Sequence, residues 1–94
     1  RDLVNAMELS PNPTTGSMKV YFDLKTSGFV RMEVLNTLGQ QIAILGEGHM
    51  NNGAHSMFWN GANQSGVPVE NGIYLIRLVT ETGQSITKRA LVAH

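Results

Sequence analysis

Ser17-Met18-Lys19-Val20-Tyr21-Phe22-Asp23-Leu24 alternates strictly, with Met18, Val20, Phe22 and Leu24 on one side and Lys19, Tyr21 and Asp23 on the other. A repeat of two residues is the side-chain period of an extended chain. One apolar face opposite a mostly polar one marks a strand half-buried on a core. Phe29 to Leu35 repeats the device after the Thr26-Ser27-Gly28 turn, with Val30, Met32 and Val34 on one side and Arg31 and Glu33 on the other. The two segments are expected to pair as a hairpin.

Working outward, Asn36-Thr37-Leu38-Gly39 carries the Asn and Gly that tight connections favour, and the shorter, more apolar Gln41 to Leu45 follows it. A soft stretch from Gly46 to Gly53 then leads to a strand at His55 to Trp59. Ile73 to Thr80 and Ser85 to Val92 form a terminal pair across Glu81-Thr82-Gly83, with glycine where a short hairpin loop needs positive φ. Met7 to Leu9 adds an edge strand that Pro11 and Pro13 stop, since proline donates nothing to a ladder. Asn60 to Gly72 is expected to be an ordered loop with a brief strand at Val67 to Val69. No stretch of a dozen residues has helical spacing free of Gly or Pro. The class is therefore all-β, an immunoglobulin-like antiparallel sandwich of about seven strands, with turn signals roughly every 8–12 residues. Several strand orders satisfy that pattern.

The chain has 94 residues, enough for one domain with one core. Seven Lys and Arg balance seven Asp and Glu, so no global field draws it to nucleic acid or an anionic membrane. It has no cysteine, which excludes disulfides, thiolate catalysis and thiolate metal sites. No apolar run approaches the roughly 20 residues of a membrane-spanning helix, and the N-terminus lacks the plan of a signal peptide. Because it begins at Arg1, the sequence reads as part of something longer, with residues 1–6 a linker remnant and 7–94 the domain.

Five segments in order resemble the C-terminal sorting domain of type IX secretion (Por secretion) cargo, in its type A-like form. Leu9-Ser10-Pro11-Asn12-Pro13 matches the opening Pro-Asn-Pro box, and Val34 to Ile42 around Gly39 matches a strand, turn and strand. Gly53-Ala54-His55 and Trp59-Asn60-Gly61 are similar to the Gly-x-His and Trp-Asp-Gly elements, with Asn60 where Asp is commoner. Gly66-Val67-Pro68-Val69-Glu70-Asn71-Gly72-Ile73-Tyr74-Leu75 is close to Gly-x-x-Val-x-x-Gly-x-Tyr. Gly83 and Lys88-Arg89-Ala90-Leu91-Val92 resemble the closing strand. His94 departs from the Lys more usual at the end. The middle boxes also occur in related sandwiches such as that of the flagellar hook-capping protein.

The resemblance implies a secretion address that folds in the periplasm and carries an N-terminal passenger through the outer membrane to the surface. Its implied partners are the type IX translocon with its shuttle proteins and a sortase-like cysteine protease that removes the domain. The residues it assigns to translocon recognition are Gly83, Lys88, Arg89, Ala90, Leu91, Val92, Ala93 and His94. The other boxes have direct physical readings. Pro11, Asn12 and Pro13 end an edge strand; Trp59 anchors the core; Gly39, Gly61, Gly66 and Gly72 meet backbone demands; Tyr74 packs its ring and bonds its hydroxyl to nearby backbone.

No catalytic, cofactor or metal site is expected. His49, His55 and Glu47 lack a further ligand at diagnostic spacing, and Asn60, Asn63, Ser65 and Glu70 offer calcium only one carboxylate. Neither a nucleophile elbow nor a phosphate-binding glycine loop is present. Asn63-Gln64-Ser65 matches a glycosylation sequon without further support, and basic residues are not interleaved with aromatics as nucleic-acid platforms require. The alternative readings are a structural or adhesion module of a larger surface protein, and a sugar-binding sandwich with Trp59 or Tyr74 exposed.

Overall fold

The alternation in residues 18–24 becomes a strand whose even-numbered side chains are buried and whose odd-numbered ones face outward. The computed structural model describes residues 4–93. In it this strand is β2 (Met18–Leu24), among β1 (Val4–Ser10), β3 (Gly28–Leu35), β4 (Gln41–Met50), β5 (Gly53–Trp59), β6 (Gly72–Thr80) and β7 (Ser85–Val92). β1 begins ahead of Met7 and takes in part of the stretch read as linker. The strands form a three-stranded sheet, β1-β2-β5, and a four-stranded sheet, β4-β3-β6-β7, with every strand pair antiparallel.

β2 and β3 do not pair as a hairpin. β2 lies between β1 and β5, β3 lies between β4 and β6, and Lys25-Thr26-Ser27 carries the chain from one sheet to the other. A period of two fixes which side of a strand is buried, not which strand lies beside it. Two amphipathic strands joined by a short loop can therefore face each other across a core as readily as share a sheet. Met18, Val20, Phe22 and Leu24 indeed meet Val30, Met32 and Val34 in one cluster with Trp59, Ile76, Leu78, Ala90 and Val92. Burying each larger aliphatic or aromatic side chain here contributes about 1.5–3 kcal/mol, and with no cysteine this core must hold the fold.

Two further expectations change. β4 continues through the supposed soft stretch to Met50, because its irregular register against β3 accommodates Gly46 and Gly48 in the ladder. Gly46 also lets the Met57 thioether of β5 close in, since a Cβ there would sit 3.2 Å from its sulfur. Val67 to Val69 forms no strand, only an isolated bridge between Ala62 and Pro68.

Glu33, on the polar side of its strand, is 2% exposed. Its carboxylate accepts a bond from Arg77 Nε at 2.7 Å and lies 2.5 Å from Arg77 Nη2, with Arg31 Nε 3.7 Å away. Cross-strand pairing puts Arg77 directly opposite Glu33, so the long side chain folds over the carboxylate and takes it from water.

Candidate functional site

β7 is the last strand of the four-stranded sheet, and among the described residues β6 is the one named strand it pairs with. The register Tyr74↔Ala90, Ile76↔Lys88 and Leu78↔Ile86 leaves the alternate residues Ser85, Thr87, Arg89 and Leu91 with backbone N–H and C=O groups on the outer side. The part of this edge nearest the C-terminus is occupied. Asn12 Nδ2 donates to Arg89 O at 2.9 Å, and Leu91 N donates to Asn12 Oδ1 at 3.0 Å, so one side-chain amide acts as a short piece of neighbouring strand. Thr14 extends it: its N donates to Leu91 O and its O accepts from Ala93 N, both at 2.9 Å, in a parallel bridge centred on Val92. Thr14 is buried, its hydroxyl bonded to Ser17 O at 2.5 Å and accepting from Gly16 N at 3.1 Å.

The Pro-Asn-Pro box is therefore a strap across β7 as well as the stop to β1. Proline cannot supply ladder donors, so between Pro11 and Pro13 the Asn12 side chain does so. This role could be suspected from an amide-bearing residue flanked by two prolines, but its target 77 residues away could not.

The segment assigned to recognition divides. Ala90 and Val92 are core residues and present no side chain to a partner. Lys88, Arg89 and Ala93 are exposed, and Leu91 is 40% exposed. Lys88 sits opposite Ile76 on the inward side of the strand, where it borders an open groove of about 270 Å³ with Met7, Glu8, Leu9, Asn12 and Arg89. An inward-pointing charge on an edge strand discourages indiscriminate pairing. Gly83 closes the β6–β7 turn by donating to Thr80 O at 2.9 Å. His94 lies outside the described residues.

The middle boxes support the strap. Trp59 is 1% exposed, donates from Nε1 to Ala62 O at 2.9 Å, and meets the Tyr74 ring edge-on at 5.7 Å. Its burial removes the sugar-platform reading of Trp59. Gly61 has φ 76°, and a Cβ there would come within 2.1 Å of Gly16 O. The Trp-Asn-Gly box thus packs directly under the loop that carries Thr14. Gly39, at φ 84°, faces open space and serves only its turn. Gly66 donates to Asn63 O within the long loop, and Gly72 opens β6 opposite Val92. Tyr74 donates its hydroxyl to Glu70 O at 2.7 Å; burial first, then the nearby Glu70 carboxylate, raise its pKa above the usual value near 10, against the lowering effect of that bond.

The oxygens considered for metals are used locally. Asn60 Oδ1 accepts from Ala62 N, and Asn63 Oδ1 accepts from Ser65 N and Val67 N. His55 bonds Asn51 O through Nε2 and stacks on Phe22. Among the described residues no group of three His, Asp or Glu gathers as a metal would require. The opposite edge of the four-stranded sheet has its own guard: Gln64 N donates to Ile42 O at 3.0 Å and Gln64 Oε1 accepts from Ile44 N at 2.8 Å.

Seven antiparallel strands split three and four around one core define an immunoglobulin-like β-sandwich. Residues 7–84 match the model of the FlgD Ig-like domain, and the chain belongs to that family. The match ends at Gln84, just before β7. Among solved structures, latent PorU from Porphyromonas gingivalis is similar over 93% of this chain and 9% of its own, at 21% identity and TM-score 0.76. PorZ from the same organism is similar over 95% of this chain and 12% of its own, at 19% identity and TM-score 0.59. FlgD from P. aeruginosa is similar over 95% and 69%, at 22% identity and TM-score 0.67. At these identities the likeness is one of fold. No curated protein matches the sequence.

Proposed function

We propose that this domain is a C-terminal sorting module that directs an upstream passenger through the outer membrane by type IX secretion, with β7 as the strand its partners read. The observation that carries this is the convergence of the sequence boxes on β7: Asn12 and Thr14 brace it, Gly61 supports the loop that holds them, and Lys88 and Arg89 stand exposed on it. One of the similar structures bears on the same process: PorZ is described as an essential surface component of the type IX secretion system. In this reading the chain is a passive address and supplies no catalytic group. The translocon with its shuttle proteins recognises it, and a sortase-like cysteine protease separates it from the passenger, so it resides in the periplasm in transit and then at the surface.

A structural module within a longer protein is the competing reading, favoured by the family match to the FlgD Ig-like domain. It expects the domain to stay attached to the mature protein. Deleting Lys88 to His94 would not decide between the two, because the deletion also removes Ala90 and Val92 from the core. The cleaner experiment fuses a reporter passenger ahead of the domain and changes Lys88 and Arg89 to Glu, two exposed positions outside the core cluster. The sorting reading expects surface export to fall while the domain stays folded, and mass spectrometry of the exported passenger to find a C-terminus ahead of the domain. Undiminished export would defeat it.

A further inference from the structure

The strap covers only part of β7. Beyond Asn12, the outward N–H and C=O of Thr87 and the N–H of Arg89 have no hydrogen-bond partner among the described residues, and the same side of Ser85 is open. From Ser85 to the Arg89 N–H, about 14 Å of extended edge is free to continue the sheet. Beside this edge lies the groove between β1 and β7 with Lys88 and Arg89 on its wall, and neither cation has a carboxylate partner among the described residues.

From this we infer that the Ser85–Arg89 edge of β7 is a docking site for an extended acidic peptide strand, ended on one side by the Asn12–Thr14 strap. An incoming strand would satisfy Thr87 through its backbone and meet Lys88, on the groove side of the sheet, with a carboxylate. The first contact supplies affinity from any sequence, and the second selects among sequences. Lys88 thus has two effects. It repels a basic edge, is costly to desolvate under a neutral one, and admits an acidic one. Glu8 on the groove's other wall restricts the fit to a single well-placed carboxylate rather than an acidic run. The strap sets the register, because a strand reaching past Arg89 would have to displace the two Asn12 bonds and then the anchored Thr14.

This deepens the reading of β7 as the recognition strand, but it is tested without export. The isotopically labelled 94-residue chain is titrated with a capped six-residue β-prone peptide bearing a central glutamate, and with the same peptide bearing lysine there. The acidic probe should shift the Thr87 and Arg89 amides and slow their exchange, and it should bind at least about tenfold tighter than the lysine probe, with the difference shrinking as salt rises. Thr87→Pro removes an outward N–H without touching the β6–β7 ladder and should weaken the acidic probe at least about fivefold. If that variant does not fold, Lys88→Glu serves instead and should reverse the preference between the probes. Shifts centred elsewhere, no binding, or no discrimination between the probes would overturn the inference. A variant that loses the acidic probe yet exports its passenger normally would leave the docking edge standing and sever it from export. Export that depends on Lys88 and Arg89 without probe binding would do the reverse.

Discussion

Replacing Asn12 with alanine removes two of the four bonds that hold the strap to β7, and the consequence can be followed amide by amide. Leu91 N donates to Asn12 Oδ1 and Ala93 N to Thr14 O, whereas Thr87 N on the same outer edge donates to nothing among the described residues. With each bond contributing about 1 kcal/mol, opening the intact strap costs about 4 kcal/mol. Because each 1.4 kcal/mol is tenfold, Leu91 and Ala93 should exchange their amide hydrogens about a thousandfold more slowly than Thr87. In Asn12→Ala the Leu91 amide has no partner left and should exchange nearly as fast as Thr87. Ala93 keeps its bond but faces about half the opening cost, so its exchange should rise about thirtyfold. Ala90, which bonds inward to Tyr74, should be unchanged. Global stability should fall by about 1–2 kcal/mol in urea with an unaltered slope, since water can replace both bonds at this exposed site. Hydrogen exchange followed by NMR reads all four amides at once. If Leu91 and Thr87 exchange at the same rate in the unmodified chain, or if Leu91 stays protected in the variant, the strap does not exist as described.

Four other outcomes follow from the packing. Gly61→Ala and Gly39→Ala both force a side chain to positive φ, at about 1–2 kcal/mol, but only Gly61 also drives a Cβ toward Gly16 O; in urea melts Gly61→Ala should cost at least about 2 kcal/mol more. Trp59→Phe leaves Ala62 O without its donor and opens space beneath Tyr74, and a loss of about 2–4 kcal/mol is expected by thermal and urea unfolding. Glu33→Gln keeps an acceptor for Arg77 but loses the charge; because Arg77 is 39% exposed the cost should be only about 1–2 kcal/mol and should shrink in high salt. Since the folded state holds the Tyr74 proton more tightly than the unfolded state, its contribution is fully present below pH about 10 and is lost as pH rises through the raised folded value; alkaline unfolding curves should show that slope, and Tyr74→Phe should flatten it.

The residues that were legible in the sequence are those whose signal is local. The alternation at 18–24 and 30–34 gave the buried faces, Trp59 announced itself as a core anchor by size, and the Glu81-Thr82-Gly83 turn joined the strands it separates. Pairing was not legible where it depends on both sheets at once, which is why β2 and β3 face each other rather than pair. β4 runs on past its sequence signal because glycines at 46 and 48 read as a loop when neighbours cannot be seen. The burial of Glu33 on the polar side of its strand is not legible, because the cation that lies opposite it, Arg77, is 44 residues away. For the candidate site, the exposed basic pair was recognisable, but the interleaving of Ala90 and Val92 as core and the covering of Arg89 and Leu91 by Asn12 require the assembled sheet. Asn12 and Gln64 show the common reason: a side-chain amide that caps a distant strand edge leaves no pattern in its own neighbourhood.

The most direct test of the sorting role is quantitative surface export of a reporter passenger fused ahead of this domain, comparing the unmodified chain with Lys88→Glu/Arg89→Glu in a type IX-competent cell, with the urea midpoint of each purified domain measured alongside. The account expects export to drop at least about tenfold while the midpoint changes little, since both side chains are exposed and lie outside the core. Equal export from two equally stable domains would contradict it.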